Sequence, residues 1–301
     1  MDRAAESFRS ELLARGLLIE TKVDGLYGRS APYERVIDAL DRLIVQSDVD
    51  QQTISLRFPP IVPRAELERN GYISSFPNLI GSVHTFTGGD EEHAELRELA
   101  EYGRNYAHLL QPAEVALCSS VCHPLYAMCA GVLPEGGSRY EVYGWCFRHE
   151  PSLDPIRMQA FRMHEFVYLG DSEVAHEFRD RWLEHGCDIL RGLGLEVGTV
   201  VANDPFFGRA GRVLAHNQLD DVLKYEIITT LDSYETPTAI ASSNLHRDHF
   251  GRPFGIQTAS GEVAESACFG FGVDRIALSL FSTHGYDPDR WPSSVRNQFW
   301  S

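Results

Sequence analysis

Apolar side chains recur at helical spacing in several long segments of the chain. In residues 31–47 they fall three or four positions apart, which is typical of an amphipathic helix that buries one face. The same pattern predicts helices over 91–110 and 173–191, and a last helix that begins near Gly272.

Strand patterns occupy much of the remaining chain. Residues 53–58 alternate between polar and apolar side chains before Pro59-Pro60, which ends the strand. Further extended segments are predicted at 140–149, 158–168, 197–202, 222–230, 237–243, 252–257 and 262–268. Because helices do not separate these strands regularly, the pattern predicts an α+β fold with an antiparallel sheet flanked by helices. No Pro, Gly or Ser-rich linker interrupts the chain, so residues 1–301 are expected to form one domain.

Composition narrows the classes of protein that fit. The chain carries 27 Lys and Arg against 43 Asp and Glu, and its net charge of −16 argues against a general polyanion binder. The charged N-terminus lacks the apolar core of a signal peptide, and no segment reaches the ~18 apolar residues of a membrane span. Six irregularly spaced cysteines are too few for a disulfide scaffold. We therefore expect a soluble, reduced, cytoplasmic protein.

One segment combines side chains that suit a nucleotide. Arg148 and Glu150 precede a loop with two prolines, and Phe161 and Glu165 follow on the return arm. If both arms are strands, alternation places the members of each pair on a common face. A guanidinium beside a carboxylate suits a ligand that carries both a phosphate and an amino group. A surface hairpin with solvated ion pairs is the alternative.

A second segment, GFGVDR at 270–275, lies between a predicted strand and the last helix. Its two glycines allow a backbone or a ligand to approach closely, and a helix N-terminus favours anions. An ordinary turn is the alternative. The segment is not a dinucleotide fingerprint, because no parallel βαβ unit surrounds it.

In their order and spacing, these segments resemble the three motifs of class II aminoacyl-tRNA synthetases. Residues 31–60 are similar to motif 1. Phe147-Arg148-x-Glu150, Arg157 and Phe161-x-x-x-Glu165, within 140–168, look like motif 2, and Gly270-x-Gly272-x-x-Arg275, within 262–283, looks like motif 3. The resemblance implies the class II synthetase fold.

Within this class the chain resembles the atypical zinc-dependent seryl-tRNA synthetases. It is still more similar to their truncated homologues, the amino acid:[carrier protein] ligases. Against that family the resemblance covers essentially the whole chain and includes GLYGRS at 25–30, RFPP at 57–60 and FRHEPS at 147–152.

The resemblance implies that ATP binds to the motif 2 and motif 3 residues. Arg148 would hold the α-phosphate and Arg157 the γ-phosphate, while Glu150 would accept hydrogen bonds from the adenine amino group. Phe161 and Arg275 would sandwich the adenine ring, with Arg148 and Arg275 as the catalytic residues.

Further contacts to ATP are implied outside these motifs, at Met158, Lys224, Ala239, Ile240, Ala241 and Ser242. Ordinary seryl enzymes carry a glutamate where this chain has Thr238, which leaves the carboxylate for Mg²⁺ open. Glu226 and Glu235 are both candidates.

Cys122, Glu165 and Cys268 match the zinc ligands of the atypical seryl enzymes and of the ligases. Three protein ligands with an open fourth position are typical of a working zinc site. The substrate amino group would take the open position, so that Glu165 also contacts the amino acid. The alternative is that the two cysteines are ordinary buried packing residues.

The resemblance implies that a small amino acid, glycine or alanine, reacts with ATP to give an aminoacyl adenylate. A carrier protein would then accept the aminoacyl group on its phosphopantetheine thiol, with Arg209 and Arg212 in the segment 204–220 as expected contacts; an ordinary solvated helix is the alternative there.

Because motif 1 begins about thirty residues into the chain, no tRNA-binding domain is expected. The motif 1 helix would form a homodimer. A true seryl-type tRNA synthetase and a catalytically silent paralogue are the rival functions.

Overall fold

A seven-stranded sheet lies at the centre of the protein, which the computed structural model describes over residues 3–50, 52–232 and 234–300. In spatial order its strands are β10 (Gly198–Val201), β11 (Lys224–Thr229), β12 (Thr238–Arg247), β14 (Glu265–Gly272), β9 (Ala160–Gly170), β8 (Ser138–Phe147) and β3 (Ile54–Leu56). Neighbouring strands are antiparallel except β8 and β3, which pair in parallel at one edge. The predicted α+β fold is confirmed, with this parallel pair as the exception.

Small sheets and helices surround the central sheet. The small sheets consist of β4 (Ile61–Pro63), β5 (Ser82–Phe86) and β6 (Leu110–Leu117); β1 (Leu18–Glu20) and β2 (Tyr27–Arg29); and β7 (Gly131–Val132) and β13 (Ile256–Gln257). The helices are α1 (Arg3–Ala14), α2 (Ala31–Gln46), α3 (Arg64–Arg69), α4 (Tyr72–Ser75), α5 (Asp90–Glu101), α6 (His123–Met128), α7 (Ser172–Gly192), α8 (Gly208–Asp220), α9 (Gly251–Phe254), α10 (Val273–His284) and α11 (Ser293–Trp300). Among the described residues, no helix is both long and apolar enough to cross a membrane.

Helices α2, α7 and α10 cover one face of the sheet with the main hydrophobic core. On α7, Trp182 stacks on Phe166 of β9 with ring centroids 4.0 Å apart. Gly186 allows this close approach, because a Cβ atom there would lie 2.1 Å from the ring of Phe269. Tyr33 of α2 stacks on Phe281 of α10 at 5.6 Å. Aromatic packing therefore covers this face of the sheet. This leaves the opposite face of the sheet to bind a ligand.

A buried carboxylate ties the edge of the sheet to β9. Glu141 of β8 pairs with Arg57 Nη1 at 2.9 Å and with His164 Nε2 at 2.5 Å, and His164 Nδ1 lies 2.9 Å from Asp41 of α2. Burial opposes ionisation of Glu141, but its bonds to His164 and Arg57 prevail and hold its pKa at about 2, below the ordinary 4.5.

Two predicted elements differ from the structure. The helix predicted over 91–110 ends at Glu101, because the chain turns at Gly103 with φ of 62° and then enters β6. The strand predicted at 252–257 is mostly the short helix α9, which ends at Gly255 with φ of 65° and leaves only Ile256–Gln257 extended.

Candidate active site

A cavity of about 590 Å³ lies over the face of the sheet opposite α7. Most of the predicted site residues line it: Cys122, Arg148, Glu150, Met158, Phe161, Glu165, Lys224, Ala239, Ile240, Ala241, Ser242, Cys268 and Arg275. Arg157 and Arg212 are exposed and do not line the cavity. The side chain of Arg209 lies outside the described residues.

The loop after β8 positions Arg148 at the cavity. Strand β8 ends at Phe147, and the backbone then turns tightly, with the Glu150 amide donating to the Arg148 carbonyl at 2.7 Å. The predicted strand alternation is therefore wrong for Arg148 and Glu150, although both line the cavity. Arg148 Nε donates to Ser119 O at 3.1 Å, and its guanidinium lies 5.3 Å from the centre of the Phe161 ring.

Strand β9 supplies the next part of the cavity wall. Phe161, Met163 and Glu165 alternate along one face, as the sequence pattern predicts, and all three line the cavity. His164 and Phe166 point to the other face, where they pack beneath α2 and α7.

The two motif 3 glycines allow strands to approach closely. A Cβ atom at Gly270 would lie 3.3 Å from Glu165 Cγ, and one at Gly272 would lie 3.0 Å from the carbonyl oxygen of Ile240. The helix α10 that follows carries Arg275, whose guanidinium donates to Ala239 O at 2.9 Å and to Ile156 O at 3.1 Å.

Arginine side chains lie close together at the cavity, among carboxylates such as Glu150 and Glu226. Burial, together with the charges of Arg148 and Arg157, lowers the pKa of Arg275 from its ordinary value. Two guanidinium groups on the cavity wall, with that of Arg157 nearby, offer binding groups for a polyanionic ligand such as a triphosphate.

Lys224 lies within a second charged group at the cavity. Its Nζ is 2.6 Å from Asp204 Oδ1 and 3.2 Å from Glu226 Oε1. Burial opposes the charge, but these two carboxylates raise the pKa of Lys224. Of the two candidates for Mg²⁺, Glu226 lines the cavity, whereas Glu235 is exposed and lies outside its lining.

Cys122, Glu165 and Cys268 meet at one end of the cavity. Antiparallel strands place Cys268 beside Val167 of β9 and beside Asn244 of β12, while Cys122 immediately precedes α6. The hydrogen bond that Cys122 donates is the main cause that holds the pKa of Cys268 well below its ordinary value. The same bond and burial raise the pKa of Cys122, and burial raises the pKa of Glu165 to about 7.

The chemistry of this group suits zinc, although its geometry is not that of a formed metal centre. In the described part of the chain, no three His, Cys, Asp or Glu side chains are arranged so that they could hold a metal as they stand. The donors are nevertheless two thiols and a carboxylate, a set that zinc prefers. Glu165 Oε1 accepts from Ser120 Oγ at 2.9 Å, and Oε2 is buried with no hydrogen-bond partner among the described residues. A metal cation that binds here would displace the protons held by Cys122 and Glu165, whose pKa values are raised.

Asp204, Asn244 and His246 are among the polar residues that line the cavity without having been predicted from the sequence. Asn244 Nδ2 lies 3.4 Å and His246 Nε2 3.5 Å from Cys268 Sγ, so both contact a predicted zinc ligand. Strand periodicity could have identified them, since they follow Ser242 on the same face of β12. Asp204 follows no such local pattern.

Sequence comparison relates the chain to two kinds of ligase, although no family model matches it. It is 43% identical over 276 residues to amino acid–[acyl-carrier-protein] ligase 1 of Bradyrhizobium diazoefficiens, across 91% of this chain and 84% of that protein. Ligase 2 of the same organism is 42% identical across 95% of this chain and 86% of that protein. A type-2 serine–tRNA ligase of Methanopyrus kandleri is 27% identical across 79% of this chain and 49% of its own length.

Structural comparison gives the same class of fold. The M. kandleri SerRS in complex with A. aeolicus tRNASec superposes with a TM-score of 0.82 and 24% identity, over 97% of this chain and 59% of that one. The cytoplasmic serine–tRNA ligase of Naegleria fowleri in complex with AMP gives a TM-score of 0.73. The predicted class II synthetase fold is confirmed. Because identity to the two Bradyrhizobium proteins exceeds 40% over most of their length, the chain belongs to the family of amino acid–[acyl-carrier-protein] ligases, as its motifs predict.

Proposed function

We propose that this enzyme activates a small amino acid with ATP and transfers it to the phosphopantetheine thiol of a carrier protein. The observation that carries the proposal is that one cavity is lined both by the predicted nucleotide residues, apart from Arg157, and by the group of Cys122, Glu165 and Cys268. Adenylation needs the two substrates side by side, and the cavity offers the side chains of Arg148 and Arg275 together with a group of thiols and a carboxylate.

In the first step, the amino acid carboxylate attacks the α-phosphorus of ATP, and the bond to the pyrophosphate oxygen breaks. Arg148 would bind the α-phosphate and stabilise the negative charge that develops there. Because its Nε is bonded to Ser119 O, the terminal nitrogens Nη1 and Nη2 remain for the phosphate. Arg157, exposed beside the cavity, would reach the γ-phosphate from the loop.

The adenine ring would lie between Phe161 and Arg275. An aromatic face and a guanidinium on opposite sides of a base give stacking and cation–π attraction.

Zinc is the expected cofactor, with Cys122, Glu165 and Cys268 as its ligands. When bound, it supplies a Lewis-acidic position for the substrate amine. Asn244 and His246 would orient the Cys268 thiolate through their contacts to its sulfur. Glu226 is our candidate for Mg²⁺ that accompanies ATP, because it lines the cavity beside Lys224.

The carrier protein would approach along α8. This helix projects Arg212 and the apolar Val213 into solvent, and the chain before it borders the cavity through Asp204 and Phe206. An acidic carrier would pair with arginine there, and its phosphopantetheine arm would enter beside this segment.

We also propose a homodimer through the motif 1 segment, which comprises helix α2 and the edge strand β3 of the central sheet. The edge strand β3 is short, and Ile54 on it is half exposed, as is Trp145 on β8. An uncovered sheet edge beside apolar side chains is typical of an interface. Light scattering coupled to gel filtration would give twice the monomer mass if the dimer forms.

Labelled amino acid tests the proposed acceptor. The enzyme, ATP and radioactive glycine or alanine are incubated with a carrier that bears phosphopantetheine, with the same carrier lacking it, or with tRNA. We expect label only on the phosphopantetheinylated carrier, released by hydroxylamine as a thioester would be. Label on tRNA instead would support the seryl-type synthetase and contradict our proposal.

A further inference from the structure

We propose that Arg29 and Asp274 are positioning residues that fix Phe161 and Arg275 at the correct separation for the adenine ring. This inference rests on the proposed function, because it takes those two side chains to bind ATP. Neither Arg29 nor Asp274 is among the residues that the motif resemblance assigns to a substrate.

The two residues form an ion pair that holds the backbone on both sides of Phe161. Arg29 Nε donates to Asp274 Oδ1 at 2.9 Å. Arg29 Nη2 donates to the carbonyl of Ala160 at 2.8 Å, and the amide of Arg162 donates to Asp274 Oδ2 at 2.6 Å. These are the two peptide groups that flank Phe161, so one ion pair fixes the strand segment that presents its ring.

The same pair is joined directly to the other side of the expected adenine site. Asp274 immediately precedes Arg275 in the first turn of α10, so a shift of its carboxylate would move the helix that carries the guanidinium. Tyr33 OH also donates to Asp274 Oδ1 at 3.1 Å, which ties this point to α2. Arg29 lies in β2, outside all three motifs, and connects the N-terminal hairpin to both sides of the site.

Burial makes this arrangement rigid. The side chains of Arg29 and Asp274 are 7% and 2% exposed, so water competes little for their hydrogen bonds. A buried ion pair gains little net stability, because desolvation offsets the attraction between the charges. Its directional bonds, however, fix geometry, and misplacement of a binding group by about 1 Å can cost on the order of 100-fold in rate.

Substitution of Arg29 can distinguish a role in positioning the adenine-binding side chains from a role in the stability of the fold. Arg29→Met removes all four hydrogen bonds that this guanidinium donates, while Asp274 keeps Arg162 as a charged partner. We expect the KM for ATP in ATP–pyrophosphate exchange to rise about tenfold or more, while the KM for the amino acid stays within about twofold. Arg29→Lys should give an intermediate value, because one ammonium cannot hold both Asp274 and Ala160.

The matched control is Glu141→Gln, which breaks a buried ion pair of the same sheet away from the adenine site. It should leave the ratio of the two KM values unchanged. If Arg29→Met behaves like this control, or keeps the wild-type KM for ATP while folded, the positioning role is refuted. If Arg29→Met does not fold, the ATP affinity of Arg29→Lys decides in the same way. Absence of exchange in the wild-type enzyme would instead refute the proposed function.

Discussion

Arg148 gives the clearest quantitative prediction of the proposed chemistry. Its guanidinium is anchored by Nε to Ser119 O and stacked near Phe161, which leaves two terminal nitrogens for the α-phosphate. Arg148→Ala removes both donors and the charge. Arg148→Lys keeps the charge but lacks the fork that bonds Ser119 and the phosphate at once.

The size of the effect follows from the two phosphate contacts. Hydrogen bonds to charged groups contribute about 1.5–3 kcal/mol each, so loss of two costs about 3–6 kcal/mol in the transition state. At about 1.4 kcal/mol per factor of ten, kcat/KM for adenylation should fall about 10²- to 10⁴-fold in Arg148→Ala. Arg148→Lys should lose about 10²-fold. Stability should change little, because Arg148 is only half-buried and the contacts it loses within the protein are the Nε bond to Ser119 O and the approach to the Phe161 ring.

The assay is amino-acid-dependent ATP–pyrophosphate exchange, with melting temperature as the check on folding. Arg252→Ala is the matched control, because Arg252 is an exposed arginine that pairs with Asp248 away from the cavity. Exchange in Arg148→Ala within tenfold of the wild type, with a normal melting temperature, would refute the role of this residue in adenylation.

Three further predictions concern the metal, the carrier and pH. Cys268→Ser should lose most of the roughly one zinc per chain and should raise the KM for the amino acid, whereas Cys187→Ser should change neither. Mass spectrometry measures the metal content, and an active zinc-free enzyme would contradict the proposed zinc site. Reversal of both charges in Arg209→Glu/Arg212→Glu should slow thioester formation and spare exchange; equal loss of both steps would indicate misfolding. The pKa of Glu141, about 2, lies below the ordinary 4.5, so its stabilisation is complete above pH 4.5 and is lost as pH falls through 2. Calorimetry of Glu141→Gln should therefore show a flatter acid limb, and an unchanged limb would count against the ion pair.

Periodic burial explains which elements could be predicted from sequence. Helices α2 and α7 bury apolar side chains at helical spacing, so the 3.6-residue period identifies them, whereas α10 is apolar and buried on most of its surface. Strand β9 shows the 2-residue period only in its first half, over Phe161, Met163 and Glu165, and is buried on both faces beyond that point. Helix α1 gives a weaker signal, because its large buried side chains are only Phe8 and Leu12. The antiparallel sheet follows from the order of strands, but the parallel pairing of β3 depends on long-range contacts that no local pattern encodes.

The residues of the site also differ in how well the sequence alone identifies them. Arg148 and Glu150 lie in a loop, where side-chain alternation predicts nothing, and only the motif resemblance identifies them. Asp204 was missed because its role arises from an ion pair with Lys224, twenty residues along the chain. Asn244 was missed because the predicted strand stopped at 243, whereas β12 continues to Arg247.

ATP–pyrophosphate exchange with each of the twenty amino acids, with and without a zinc chelator, would show whether this enzyme forms an aminoacyl adenylate. We predict exchange with one or two small amino acids, glycine or alanine first, and its loss on chelation with recovery when zinc is restored. Absence of exchange with every amino acid, in protein shown to contain zinc, would contradict adenylation and favour a silent paralogue that only binds its ligands.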